Sequence, residues 1–173
     1  MTDFDRAILV IRHPINSLVS FFNDILTKDK TTYASLEEYE RRFKQDDVLS
    51  KGIQQWLKFH DVILEHYQSP LLVIQYEELK SNFVGEMEKI LPFLGLDMTP
   101  EIASCLLEES VGHFKRKSRP QKETDEIYKN FTTTQIEALN NTYKKYLKKF
   151  QNKVIDLQIR QSLQKKYNKH NLT

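Results

Sequence analysis

Residues 6–23 read RAILVIRHPINSLVSFFN, and this stretch decides the architecture. Ala7–Ile11 is continuous, apolar and rich in β-branched residues. It predicts a short strand covered on both faces, as in a parallel sheet. Pro14 suits the first turn of a helix, where its missing N–H would have no partner anyway. Beyond it Leu18, Val19, Phe22, Ile25 and Leu26 fall on one helical face. A strand feeding directly into a helix is the unit of an α/β fold.

Working outward, Thr27–Thr32 is a polar break, and Ser35 with Glu38 predicts a capping box opening SLEEYERRF. A helix from about Val48 to Tyr67 carries Ile53, Trp56, His60, Ile63, Leu64 and Tyr67 on one stripe. Pro70 turns the chain into a second apolar strand, Leu71–Gln75. After Tyr76-Glu77-Glu78-Leu79 comes a helix from Phe83 to Leu94 that Gly95 stops. Thr99-Pro100-Glu101 opens another, running to about Glu109. Gly112–Lys122 reads as an irregular basic stretch. Thr134 with Glu137 is expected to cap a last helix through Phe150, and looser spacing from Gln151 predicts fraying. Two strands among so many helices make a marginal sheet.

The 173 residues fit one domain, and 39% apolar with 29% charged residues describes a folded chain rather than a disordered tail. No apolar run approaches the roughly 18 residues that span a bilayer. Cys105, the single cysteine, closes no internal disulfide and builds no zinc knuckle. The net charge of +2 hides two unlike parts. Residues 1–110 carry 11 Lys and Arg against 19 Asp and Glu, whereas residues 111–173 carry 15 against 5. Such a basic third is either a solvated helical face or part of an anion site.

In open α/β sheets, ligands sit beyond the carboxyl ends of the strands. Arg12 ends the first strand, and Ser20 follows eight residues later, off the apolar face of its helix. A guanidinium, a helix amino end and a hydroxyl on one side suit a phosphate. The plainer reading makes Arg12 a salt-bridge partner and Ser20 a surface residue. Tyr76 ends the second strand, placed to stack on a nucleobase or to wedge between sheet and helix. Lys115, Arg116, Lys117 and Arg119 follow Gly112 as a loop able to close on a phosphate, or as a solvated cluster.

These residues, in this order, resemble the sulfotransferase family that uses 3′-phosphoadenylyl sulfate (PAPS). The family's 3′-phosphate motif matches RAILVIRHPINSLVSFFN at Arg12 and Ser20, with His13 and Asn16 departing from the commoner residues. Its second segment is similar to LLVIQYEELKSNFVGEMEKILPFLGL, which implies that Tyr76 lies beside the adenine. SVGHFKRKSRP resembles the corresponding loop of the WSC-domain sulfotransferase-like group, implying that Lys115 or Arg116 touches the 3′-phosphate. SLEEYERRF and the Trp56/His60 helix look like segments that wall the acceptor side.

The resemblance implies a partial P-loop NTPase-like, three-layer α/β fold with a short parallel sheet flanked by many helices. Residues 1–150 are expected to be a sulfotransferase domain lacking its 5′-phosphosulfate loop, and residues 151–173 a basic, frayed tail. The four glycines are scattered singly, and no residue matches the family's catalytic base. The implied reaction is in-line transfer of a sulfuryl group from PAPS to an acceptor hydroxyl, with no metal. The implied partners are that nucleotide co-substrate and a carbohydrate, protein or small-molecule acceptor, with no nucleic acid expected. The alternative is an inactive remnant or pseudoenzyme that binds nucleotide or an anionic polymer. Sequons at Asn130, Asn140 and Asn171 favour the lumenal side of a Golgi membrane, with a membrane-anchored parent, over the cytoplasm.

Overall fold

The computed structural model describes residues 5–27, 32–44, 47–109 and 120–170. Two strands, β1 (Ala7–Ile11) and β2 (Leu71–Gln75), pair in parallel with Ala7 opposite Leu71 and Ile11 opposite Gln75. Parallel neighbours need a long crossover. It is made by α1 (Pro14–Thr27), α2 (Leu36–Phe43) and α3 (Val48–His66). After β2 come α4 (Tyr76–Ser81), α5 (Phe83–Leu94), α6 (Pro100–Glu109), α7 (Gln121–Tyr128) and α8 (Thr133–His170). The result is the expected α/β fold, a short two-stranded parallel sheet flanked by many helices.

The capping box at Ser35 and Glu38 forms as expected, and Gly95 ends α5 in the left-handed region at φ 79°. Two unexpected helices, the cap of α8 and the tail each need correction. Helix α4 starts immediately at Tyr76, and α7 replaces the end of the stretch read as irregular. Both are short and polar, with Ile127 buried in α7, so neither displays an apolar period. The cap of α8 lies two residues upstream of Thr134. The Thr132 hydroxyl accepts the Gln135 N–H at 3.2 Å, while Gln135 Oε1 accepts the Thr132 N–H at 2.8 Å. Phe131 and Ile136 then join one cluster, as a hydrophobic staple requires. This staple selects Thr132 from three consecutive threonines.

The last correction concerns the tail. Helix α8 continues unbroken through Gln151 to His170, because Leu157 is still buried against the sheet cluster and Val154 packs beside it.

The core has two parts. One gathers Ile15, Leu18, Phe22, Tyr39, Phe43 and Phe131 around α1 and α2. The other places Leu9, Ile11, Trp56, Tyr146 and Phe150 between the sheet, α3 and α8. Gly52 lets α3 approach α1, since a Cβ there would lie 2.3 Å from Leu18 Cδ2. His60 is 4% exposed, stacks on Trp56 at 3.9 Å between centroids and donates Nδ1–H to the Trp56 carbonyl at 2.6 Å. The His60 side chain therefore belongs to the core.

The Golgi-membrane location is also corrected. Among the described residues no helix is long and apolar enough to cross a membrane. Asn140, one of the sequons behind that expectation, lies inside α8 with its side-chain oxygen 2.8 Å from His13 Nε2. Asn171 lies outside the described residues.

Candidate functional site

The register of the sheet builds the site. Ile11 is opposite Gln75, so the next residues at the carboxyl edge are Arg12 and Tyr76, and after them His13 and Glu77. Each of these pairs makes a contact.

The Arg12 guanidinium lies over the Tyr76 ring, 4.3 Å from its centroid. Both residues are half-buried. Arg12 Nε is buried without a hydrogen-bond partner, and no carboxylate pairs with the guanidinium among the described residues. Among the described residues Arg12 is therefore not a salt-bridge partner. Its backbone is held instead, by the Trp56 indole N–H donating to the Arg12 carbonyl at 3.1 Å.

His13 donates its backbone N–H to Glu77 Oε1 at 3.2 Å, and Asn16 Nδ2 donates to the same oxygen at 2.9 Å. The Tyr143 hydroxyl of α8 donates to Glu77 Oε2 at 3.2 Å. The hydroxyl of Tyr128, at the end of α7, donates to Asn16 Oδ1. Partial burial alone would raise the Glu77 pKa. The bonds from Asn16, His13 and Tyr143 outweigh it and hold the carboxyl below its ordinary value. Burial, and then the Glu77 charge, push the Tyr143 phenol upward. Burial depresses His13, against its bond to Asn140 and the Glu77 charge. With a carbonyl oxygen facing Nε2, the neutral ring carries its proton there.

Of the five residues singled out from the sequence, Arg12 and Tyr76 come together at the sheet edge. Ser20 is half-buried on α1, two turns beyond Arg12, with no hydrogen bond from its side chain to the described residues. Lys115 and Arg116 lie outside the described residues. A carboxylate, Glu77, stands beside the amino end of α1, where it accepts from the His13 N–H and from Asn16 Nδ2. Glu77 and Tyr128 were not singled out from the sequence. The signal for Glu77 was the alignment of two strand ends, which places it opposite His13. For Tyr128 no local signal exists, because its partner is 112 residues away.

The sheet edge thus carries a guanidinium, unpaired among the described residues, beside an aromatic ring; the sequence comparisons give the family of the chain. A family model described as "Sulfotransferase domain" matches residues 5–167, and the chain belongs to that family. It is similar to a WSCD family member of Aedes aegypti, 25% identical over 119 residues, covering 67% of this chain and 37% of that protein. It is also similar to Sulfotransferase 6B1 of Mus musculus, 30% identical over 112 residues, covering 61% of this chain and 34% of that protein. The chain spans about a third of the length of these curated relatives. No solved structure matches.

Proposed function

We propose that the chain forms the 3′-phosphate side of a PAPS site, and that the complete protein transfers the sulfuryl group to an acceptor hydroxyl. The observation that carries this reading is the Arg12 guanidinium, half-buried, without a carboxylate partner among the described residues and braced on Tyr76. A partly buried cation with an unpaired donor is costly until an anion completes it. Phosphate matches the guanidinium with two parallel acceptors. Family membership supplies the chemical class of that anion.

In this reading Arg12 and Ser20 take the 3′-phosphate, and Lys115 and Arg116 close on it. Tyr76 offers the adenine the ring face that Arg12 leaves open. Residues 1–150 act as part of a P-loop NTPase-like sulfotransferase domain, with residues 151–173 a basic appendage. The acceptor oxygen attacks sulfur in line, a general base takes the acceptor's hydroxyl proton, and the sulfur–oxygen bond to the nucleotide phosphate breaks to release 3′-phosphoadenosine 5′-phosphate. The test is calorimetric titration of 3′-phosphoadenosine 5′-phosphate into the chain. Wild type is expected to bind and Arg12→Ala to lose that binding. Equal affinities overturn the assignment.

A further inference from the structure

The peptide unit between Arg12 and His13 is held from both sides. Its carbonyl accepts the Trp56 indole N–H at 3.1 Å, and its N–H donates to Glu77 Oε1 at 3.2 Å. The same carboxylate oxygen takes Asn16 Nδ2 at 2.9 Å, one turn into α1. Oε2 is held at 3.2 Å by the Tyr143 hydroxyl, so the carboxylate is fixed from the turn after β1, from α1 and from α8 together.

We infer that Glu77 is the positioning residue of the anion site. It locks the Arg12–His13 peptide plane and so fixes the direction in which the Arg12 side chain leaves the strand. The inference rests on the nucleotide reading above, but its mechanical part concerns the chain alone. A carboxylate is suited to this place for two reasons. Charge-assisted hydrogen bonds to it are stronger than neutral ones. Its negative charge also complements the amino end of α1, which has no acidic residue in its own first turn. Held in this way, Glu77 stands beside the Arg12 backbone without pairing with the Arg12 side chain.

Trp56 is the single tryptophan of the chain, so its indole N–H resonance reports directly on the Arg12 carbonyl. The experiment compares wild type with Glu77→Ala, Glu77→Gln and Tyr143→Phe. It reads that resonance without ligand, then the calorimetric affinity for 3′-phosphoadenosine 5′-phosphate. Glu77→Ala is expected to shift the resonance and weaken binding about tenfold, the scale of one lost charge-assisted bond. Glu77→Gln keeps an acceptor for His13 and Asn16, and is expected to leave the resonance in place with affinity within about threefold. Tyr143→Phe, which frees only Oε2, is expected to fall between them. An unmoved resonance and unchanged affinity in Glu77→Ala overturn the inference, as does an equal loss in Glu77→Gln. If wild type itself fails to bind, the nucleotide reading falls, and the resonance in Glu77→Ala still decides the clamp.

Discussion

Arg12 and Tyr76 stand at corresponding positions past two paired strands, and the guanidinium rests 4.3 Å from the centre of the tyrosine ring. Side by side at one sheet edge, they make a cation braced by a π face, with no carboxylate partner among the described residues. The ring holds the guanidinium in place without consuming its hydrogen-bond donors.

A first prediction concerns that stack. Tyr76→Phe keeps the π face and is expected to bind 3′-phosphoadenosine 5′-phosphate within about threefold of wild type. Tyr76→Ala frees Arg12 and is expected to weaken binding by about tenfold, or roughly 1.4 kcal/mol. Calorimetry on both variants checks this, and an Ala variant as tight as Phe removes the stack from the site.

The cap of α8 gives a second prediction. Thr132→Ala removes the acceptor of the Gln135 amide and is expected to cost about 1 kcal/mol. Thr134→Ala sits inside the first turn and is expected to change stability by less than about 0.5 kcal/mol. Urea unfolding of the two variants separates them, and equal losses would return the cap to Thr134.

Asn23 carries the third. It is 1% exposed, and its Oδ1 accepts the Ala34 N–H at 2.9 Å and lies 3.1 Å from the Tyr39 hydroxyl. Its Nδ2 donates to the Thr32 carbonyl at 3.2 Å. Asn23→Ala strips an acceptor from a buried amide, at about 1–3 kcal/mol for that group. A fall in Tm of at least about 2 °C is expected. A melting curve that overlays wild type would contradict the network.

The fourth prediction is a pH dependence. Burial, partly offset by the bond to Trp56, depresses the His60 pKa. Below about pH 6.5 the unfolded chain binds a proton that folded His60 refuses, so stability falls as pH drops through that point. The loss levels off once the pH is below the depressed folded pKa. His13 is depressed by burial in the same direction and contributes to the same window. Glu77, with a lowered pKa, adds a further loss below about pH 4.5. Melting at pH 7 and pH 5.5 is expected to show a smaller drop for His60→Phe than for wild type. Equal drops would remove His60 from the pH response.

Much of the fold was legible locally. Both strands, the Ser35–Glu38 box, and the spans of α5 and α6 follow from neighbours within a few residues. Apolar runs, caps and the Gly95 stop act over one or two turns, so sequence order carries them. Helix α7 was illegible because its eight residues are mostly polar around the buried Ile127. The surroundings of His60 were only partly legible for a related reason. Its helical stripe shows that it faces inward, but not that Trp56, Tyr146 and Phe150 enclose it.

For the site, the sequence by itself determined the residue types at two strand ends: a guanidinium, an aromatic ring and a hydroxyl one helix face away. Those are properties of adjacent positions, and they resembled a family to which the chain belongs. Only the tertiary structure decided what each residue touches. Glu77 meets His13, Asn16 and Tyr143 across separations of 61 to 66 residues, and Tyr128 meets Asn16 across 112. Whether Arg12 is paired or free depends on every carboxylate in the folded neighbourhood. The reason is physical: hydrogen bonds and ion pairs require approach within a few ångströms, and only the packing of strands and helices sets those distances.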